Sequence, residues 1–123
     1  MKALIIDDED DVRQVIRLSL GRVGGMDVVD ASSGSAGVRL AAETRPDFIL
    51  LDLMMPDMDG VETFGRLRED ERTASIPVIF LTAKAMPSEI ERLRRLGALE
   101  VVVKPFNPMT LADQLREILR GAA

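Results

Sequence analysis

Short apolar runs of this sequence are followed directly by side chains that can bind or accept a phosphoryl group. Three are carboxylates, one is a hydroxyl and one is an ammonium group, and the chain contains no histidine and no cysteine. Carboxylate oxygens suit a hard divalent cation such as Mg²⁺, which takes one or two carboxylates together with water or phosphate oxygens. The residues concerned are Asp7, Asp8, Asp52, Thr82 and Lys104.

This set of groups favours the transfer of a phosphoryl group onto a carboxylate. Asp52 is the expected acceptor, because it closes the central strand of the predicted sheet. Asp8 is expected to bind the metal directly, with Asp7 acting beside it or through water. Thr82 and Lys104 would bind the phosphate oxygens and help to neutralise their charge.

Composition excludes several other chemistries. Without His and Cys among its 123 residues, the chain cannot form a Ser-His-Asp triad, an imidazole zinc site, a thiol nucleophile or an iron–sulfur cluster. A histidine that donates a phosphoryl group must belong to another molecule. The formal charge of −5 argues against direct nucleic-acid binding, which requires clustered Lys and Arg. No apolar run approaches the ~20 residues of a membrane span, so we expect a cytoplasmic protein.

Strand-like and helix-like stretches alternate along the whole chain. The strand-like runs are continuously apolar, which is typical of a parallel sheet covered by helices on both faces. Right-handed crossovers then predict a doubly wound α/β sandwich, with its functional crevice beyond the carboxyl ends of the strands. The predicted strands span 4–6, 26–31, 48–51, 76–81 and 101–103.

Capping residues and prolines predict where the helices begin and end. Pro46 should hold Arg45 in extended geometry after the second helix. Asp57 and Asp59 are interpreted as a loop residue and a cap residue. The expected helix starts are Asp10-Asp11, Ser32-Ser33, Val61, Ser88 and Asn107-Pro108.

Four motifs stand in order at the predicted strand ends, and through them the chain resembles the receiver domain of two-component response regulators over its whole length. The motifs are Ile6-Asp7-Asp8-Glu9, Leu51-Asp52-Leu53-Met54-Met55-Pro56-Asp57-Met58-Asp59-Gly60, Leu81-Thr82-Ala83-Lys84 and Val103-Lys104-Pro105-Phe106.

The resemblance implies a flavodoxin-like sheet in the strand order 2-1-3-4-5. It also implies that a partner histidine kinase or phosphotransfer protein phosphorylates Asp52. Mg²⁺ would be bound by Asp8, Asp52 and the main-chain carbonyl of Met54, with Asp7 beside them. The peptide bond between Lys104 and the following proline would be cis.

A receiver of this kind is a signalling switch and not an enzyme, apart from catalysing its own phosphorylation and dephosphorylation with Mg²⁺. We expect residues 1–123 to form one stand-alone receiver domain without an output domain, as a monomer or weak dimer. A downstream protein would bind the face built from the last two helices and the last strand. Alternatively, the chain is a fragment of a longer regulator.

One position departs from the family pattern. Receivers commonly carry Tyr or Phe three residues before the Lys, where this chain has Val101. Valine cannot perform the rotamer switch of an aromatic ring. We therefore hypothesise that activation relies on Thr82 and on movement of residues 83–88.

Two other functions are compatible with parts of the pattern. A Mg²⁺-dependent phosphohydrolase with an aspartyl-phosphate intermediate would normally need a second Asp two residues beyond the nucleophile, where this chain has Met54. An unphosphorylated interaction scaffold would not need the complete set of site residues. Both alternatives are less consistent with the sequence than a receiver.

Overall fold

A single parallel sheet forms the centre of the protein. The computed structural model describes residues 1–84 and 86–122. Its five strands lie in the order β2-β1-β3-β4-β5, and every neighbouring pair is parallel. This confirms the predicted flavodoxin-like arrangement. The strands are β1 (Lys2–Ile6), β2 (Asp27–Ala31), β3 (Phe48–Asp52), β4 (Val78–Thr82) and β5 (Glu100–Val103).

Helices follow the strands and cover both faces of the sheet. Among the described residues, none of them has the length and apolar character that crossing a bilayer requires. The helices are α1 (Asp10–Arg17), α2 (Gly34–Thr44), α3 (Gly60–Glu69), α4 (Pro87–Leu96) and α5 (Leu111–Gly121).

The core has two apolar layers because successive strand residues point to opposite faces of the sheet. In β3, Ile49 and Leu51 pack against α2, α3 and α4, while Phe48 and Leu50 pack against α1 and α5. All residues of β3 and β4 are buried. The continuous apolar runs of the sequence therefore correspond to strands that lie between two layers of helices.

The end of the first helix differs from the predicted single α-helix. Residues Leu18–Val23 form a π-helical segment, in which Ser19 and Leu20 are buried. The Ser19 hydroxyl donates to the carbonyl of Pro108 at 2.5 Å. Gly24 follows this segment directly, and a Cβ placed on it would lie only 2.5 Å from the Cβ of Ala112. The chain therefore approaches α5 closely at the end of the π-helical segment.

Three local predictions about helix ends were wrong. Arg45 adopts the left-handed conformation (φ 46, ψ 65) instead of extended geometry, and its N–H closes α2 by donating to Ala41. Ser88 lies inside α4, which starts at Pro87 after Met86. Asn107 opens a turn before α5, in which its Oδ1 accepts a bond from the Met109 N–H at 2.9 Å, and α5 itself starts at Leu111.

The start of α3 lies directly against the end of the central strand. Asp59 caps this helix by accepting a hydrogen bond from the Glu62 N–H at 2.9 Å, and Asp57 occupies the preceding loop with φ 64, as interpreted from the sequence. A Cβ on Gly60 would lie 2.6 Å from the carbonyl oxygen of Asp52 and 2.7 Å from the Cα of Leu53. The loop after Asp52 can therefore close only if residue 60 has no side chain.

We expect the Gly60→Ala substitution to lower the free energy of unfolding by about 2 kcal/mol, because overpacking against rigid backbone has a cost of this size. Gly65→Ala is the matched control in the same helix, since its Cβ would contact nothing within 4 Å. The control should gain up to about 1 kcal/mol from helix propensity. Urea unfolding followed by circular dichroism measures both values, and equal midpoints would contradict the close approach.

Candidate functional site

The carboxyl edge of the sheet brings the predicted site residues together. Pairing of β1 with β3 places Ile6 beside Leu51, so the residues that follow each strand are neighbours. Asp52 ends β3 and Thr82 ends β4, while Lys104 directly follows β5. The edge therefore carries all five side chains that the sequence singles out.

Four carboxylates converge at this edge. One oxygen from each of Asp7, Asp8, Glu9 and Asp52 lies within 4.8 Å of the corresponding oxygens of the others. Asp7 is 1% exposed and Asp52 is 3% exposed, whereas Glu9 is exposed. Three of these residues were predicted, and Glu9 was part of the first motif without an assigned role.

Lys104 supplies the positive charge nearest to these carboxylates. Its Nζ lies 3.7 Å from Asp7 Oδ2 and 3.8 Å from Asp52 Oδ1. Its backbone N–H donates to the carbonyl of Thr82 at 2.8 Å, which extends the pairing of β4 and β5. The peptide bond from Lys104 to Pro105 is cis, as the resemblance implied.

The electrostatic environment disfavours a charged Asp52. Burial raises the pKa of Asp52 from 3.8 to about 6, with a further upward contribution from the negative charge of Asp7. The ammonium of Lys104 and the Met54 N–H, which donates to Asp52 Oδ1 at 3.3 Å, oppose this rise. Burial also raises the pKa of Asp7.

The donor set fits a hard divalent cation. Asp7 Oδ2 is buried and has no hydrogen-bond donor anywhere in 1–84 or 86–122. An unsatisfied buried carboxylate oxygen is costly unless a cation or a proton meets it. Oxygen ligands of this kind are those that Mg²⁺ prefers. Asp7, Asp8 and Asp52 could hold such an ion, while the carbonyl of Met54 as a further ligand remains a prediction.

Thr82 bonds to its own loop and not to the carboxylates. Its hydroxyl accepts a hydrogen bond from the Lys84 N–H at 3.1 Å and lies 3.3 Å from the Lys84 carbonyl. The side chain is 1% exposed. Ala85, part of the segment that we expect to move, lies outside the described residues.

Arg13 supports the site, although the sequence did not single it out. Its Nη1 donates to the main-chain carbonyl of Asp7 at 2.9 Å. Its Nε bonds to Asp30 at 3.0 Å, and its Nη2 bonds to Asp10 at 2.5 Å. The spacing between Asp10 and Arg13 could have predicted their ion pair. The contact with Asp30 could not be predicted in this way, because it depends on the packing of β2 beside β1.

Comparison with known proteins decides the family. The family model described as the response regulator receiver domain matches residues 3–116. The chain belongs to this family. Receivers of this family act in two-component signal transduction, which confirms the class of function predicted from the four motifs.

Relatives of the receiver include transcriptional regulators. It is 39% identical to the DNA-binding dual master transcriptional regulator RpaA of Synechocystis over 97% of this chain and 49% of that protein. It is 36% identical to the phosphate regulon transcriptional regulatory protein PhoB of Pseudomonas aeruginosa over 95% of this chain and 51% of that protein. The chain thus spans about half the length of these relatives, and the expectation of a stand-alone domain is not confirmed.

A solved structure with a closely similar fold is the chemotaxis protein CheY4 of Vibrio cholerae. It superimposes with a TM-score of 0.88 at 32% sequence identity, covering 95% of this receiver and 97% of that chain. The similarity therefore extends over nearly the full length of both chains and supports the flavodoxin-like fold.

The raised pKa of Asp52 predicts how stability depends on pH in the absence of metal. Because the folded pKa, about 6, exceeds the ordinary 3.8, the folded state binds this proton more tightly than the unfolded state does. The stabilising contribution is complete below about pH 4 and is lost as the pH rises through about 6.

We therefore expect Asp52→Asn to be more stable than wild type at pH 7.5 in EDTA by about 2 to 3 kcal/mol, and to lose this advantage near pH 4. Urea unfolding at both pH values measures the difference, with Asp57→Asn as a control that changes charge in the neighbouring loop. A pH-independent difference between Asp52→Asn and wild type would contradict the raised pKa.

Proposed function

We propose that the chain is a phosphorylation-dependent signalling switch whose phospho-acceptor is Asp52. The observation that supports this most strongly is a buried carboxylate 3.8 Å from the Lys104 ammonium, within a cluster of four carboxylates at the sheet edge. The donor would be a phosphohistidine on a sensor histidine kinase or phosphotransfer protein, because this chain has no His. The O–P bond to Asp52 would form as the P–N bond of the donor breaks.

Asp7, Asp8, Asp52 and the carbonyl of Met54 would hold Mg²⁺. When bound, the ion supplies neutralisation of the negative charge on the transferring phosphoryl group. Lys104 would complete that neutralisation, since its ammonium already lies beside two of the carboxylates. Without metal, burial raises the pKa of Asp52 and favours its protonated form. A cation bound beside Asp52 would lower this pKa and favour the ionised form, which attacks phosphorus.

Phosphorylation would change the loop that follows β4. To reach a phosphate oxygen, the Thr82 hydroxyl must leave its hydrogen bonds with the Lys84 backbone. Moving a population from 1:99 to 99:1 requires about 5.5 kcal/mol of differential binding. Hydrogen bonds to a charged group contribute about 1.5 to 3 kcal/mol each, so bonds from Thr82 and Lys104 could supply most of it.

Val101 limits the routes by which this change reaches the surface. Its side chain is half-buried and packs against the core layer beneath α4. It offers no aromatic ring that could swing inward. The proposed route therefore runs from Thr82 through the loop to α4, without a contribution from residue 101.

The output surface in this proposal is the face formed by α4, β5 and α5. Leu96 and Val103 are 47% and 41% exposed on these elements, and Arg94 pairs with Glu100 across them. Such a surface suits a downstream protein partner. The monomeric or weakly dimeric state, the lack of direct nucleic-acid contact and the absence of catalysis on other substrates belong to the same proposal.

Phosphorylation at Asp52 is tested by the intact mass of the protein after incubation with Mg²⁺ and acetyl phosphate or phosphoramidate. We expect wild type to gain one phosphoryl group and Asp52→Asn to gain none. Asp57→Asn is the matched control, because this carboxylate lies in the loop that follows Asp52 but is exposed and outside the cluster. Modification of Asp52→Asn would refute the assignment.

The same samples separate a switch from a phosphohydrolase. A switch forms a stoichiometric phosphoprotein that decays slowly, whereas a hydrolase releases phosphate continuously from small phosphate esters. Met54, which stands two residues beyond the acceptor and is 62% exposed, offers no acid group for protonating a leaving group. Continuous turnover of esters would therefore overturn the proposal in favour of the enzyme.

We expect Thr82→Ala to accept the phosphoryl group but to lose the conformational response of α4. Hydrogen exchange of α4 amides, measured with and without phosphodonor, should change in wild type and in Thr82→Ser, which retains the hydroxyl. It should stay constant in Thr82→Ala. An undiminished response in Thr82→Ala would show that the signal leaves the site by another route.

A further inference from the structure

Glu9 contributes a fourth carboxylate to the cluster at the sheet edge. An oxygen of its side chain lies within 4.8 Å of ligand oxygens from Asp7, Asp8 and Asp52. The ligand set inferred from the sequence uses only the three aspartates and a main-chain carbonyl. Glu9 therefore stands beside the predicted metal site without a role in it.

The backbone of Glu9 is held by hydrogen bonds, whereas its carboxylate does not cap the helix that it precedes. Its N–H donates to Asp7 Oδ1 at 2.9 Å, and its carbonyl accepts from the Arg13 N–H at 3.0 Å. Glu9 occupies the N-cap position of α1, yet its side chain makes no capping hydrogen bond. Within 1–84 and 86–122 this carboxylate forms no ion pair with Lys or Arg, so an ion pair does not explain why it lies close to the aspartates.

A second observation indicates that the cluster is built for a cation. Asp7 Oδ2 is buried and receives no hydrogen bond from the described residues, and its nearest positive atom, Lys104 Nζ, is 3.7 Å away. Four carboxylates and one ammonium carry a formal charge of 1 − 4 = −3 when all are ionised. One divalent cation would reduce this excess to −1 and would give the Asp7 oxygen a partner.

We propose that Glu9 is a ligand of the divalent cation, directly or through one water that it holds. Its effect is to raise the cation affinity of the unphosphorylated chain and to favour Ca²⁺ binding in addition to Mg²⁺. Mg²⁺ keeps several waters and takes one or two carboxylates, whereas Ca²⁺ takes 6–8 oxygen ligands and accepts more carboxylates. The inference rests on the proposed function only in that both place a cation at the same site.

Isothermal titration of the full chain with MgCl₂ and with CaCl₂, at constant ionic strength, tests this role. We expect Glu9→Gln to weaken Mg²⁺ binding at least about tenfold, the size typical of losing a group that orients or holds a metal ligand. The loss for Ca²⁺ should be larger. Asp11→Asn is the matched control, because this substitution removes the same charge as Glu9→Gln. Asp11 is exposed in the first turn of α1 and lies outside the cluster.

Equal affinities of Glu9→Gln and Asp11→Asn would overturn the inference, because the effect would then be one of net charge. Absence of any divalent binding by wild type would overturn it as well. Unfolding in EDTA provides an independent measurement, in which Glu9→Gln should have a higher urea midpoint than wild type because one repelling carboxylate is gone. A lower midpoint would contradict the placement of Glu9 in the cluster.

The proposed function is judged separately. Phosphoryl transfer to Asp52 from acetyl phosphate at saturating Mg²⁺ should occur in wild type and in Asp11→Asn, because Asp11 is exposed and lies outside the cluster. If Glu9→Gln matches its control in cation binding while wild type gains a phosphoryl group, only the role of Glu9 fails. If wild type binds the cation through Glu9 but gains no phosphoryl group, only the switch fails.

Discussion

Repulsion between carboxylates held at the end of a buried sheet is the constraint on which the site depends. Asp7 directly follows β1 and Asp52 is the last residue of β3, and both side chains are buried at the end of the apolar core. Their charges are therefore kept close together by apolar packing several residues away. Lys104 offsets part of this repulsion, and burial raises the pKa of both acids. Packing of the apolar layers thus holds these carboxylates together, so a positive charge bound at this edge of the sheet is stabilising.

The surrounding loops maintain this arrangement through backbone contacts. Arg13 holds the carbonyl of Asp7 and is itself held by Asp30 on β2. Gly60 allows α3 to begin against the carbonyl of Asp52. Arg13 and Gly60 meet Asp7 and Asp52 at their main-chain carbonyls, so they position these acids without occupying the charged oxygens. The carboxylates consequently remain available to a cation and a phosphoryl group.

Much of the fold and the site could be predicted because both depend on short-range patterns. Continuous apolar runs specify buried parallel strands, and the residue after each run must lie at the carboxyl edge. Predictions were wrong where a local preference competes with packing, as at Arg45, which closes α2 in a left-handed conformation despite the following proline. The proximity of Glu9 to the aspartates and the contact of Arg13 with Asp30 could not be predicted from spacing, because they depend on where a flexible side chain lies relative to a neighbouring strand.

The π-helical segment Leu18–Val23 gives the first crossover a defined length. A π-helical turn contains more residues than an α-helical turn, so it accommodates extra chain without shifting the elements on either side. If this stretch wound as an ordinary α-helix, each residue after it would rotate by about 100° for every residue removed. The side chain of Leu20 would then turn away from the core. Asp27 would no longer lie opposite Lys2, with which it pairs at the start of β2. The number of residues between Asp8 and Asp30 is therefore constrained, and not only the identity of those that contact the acidic cluster, such as Glu9 and Arg13.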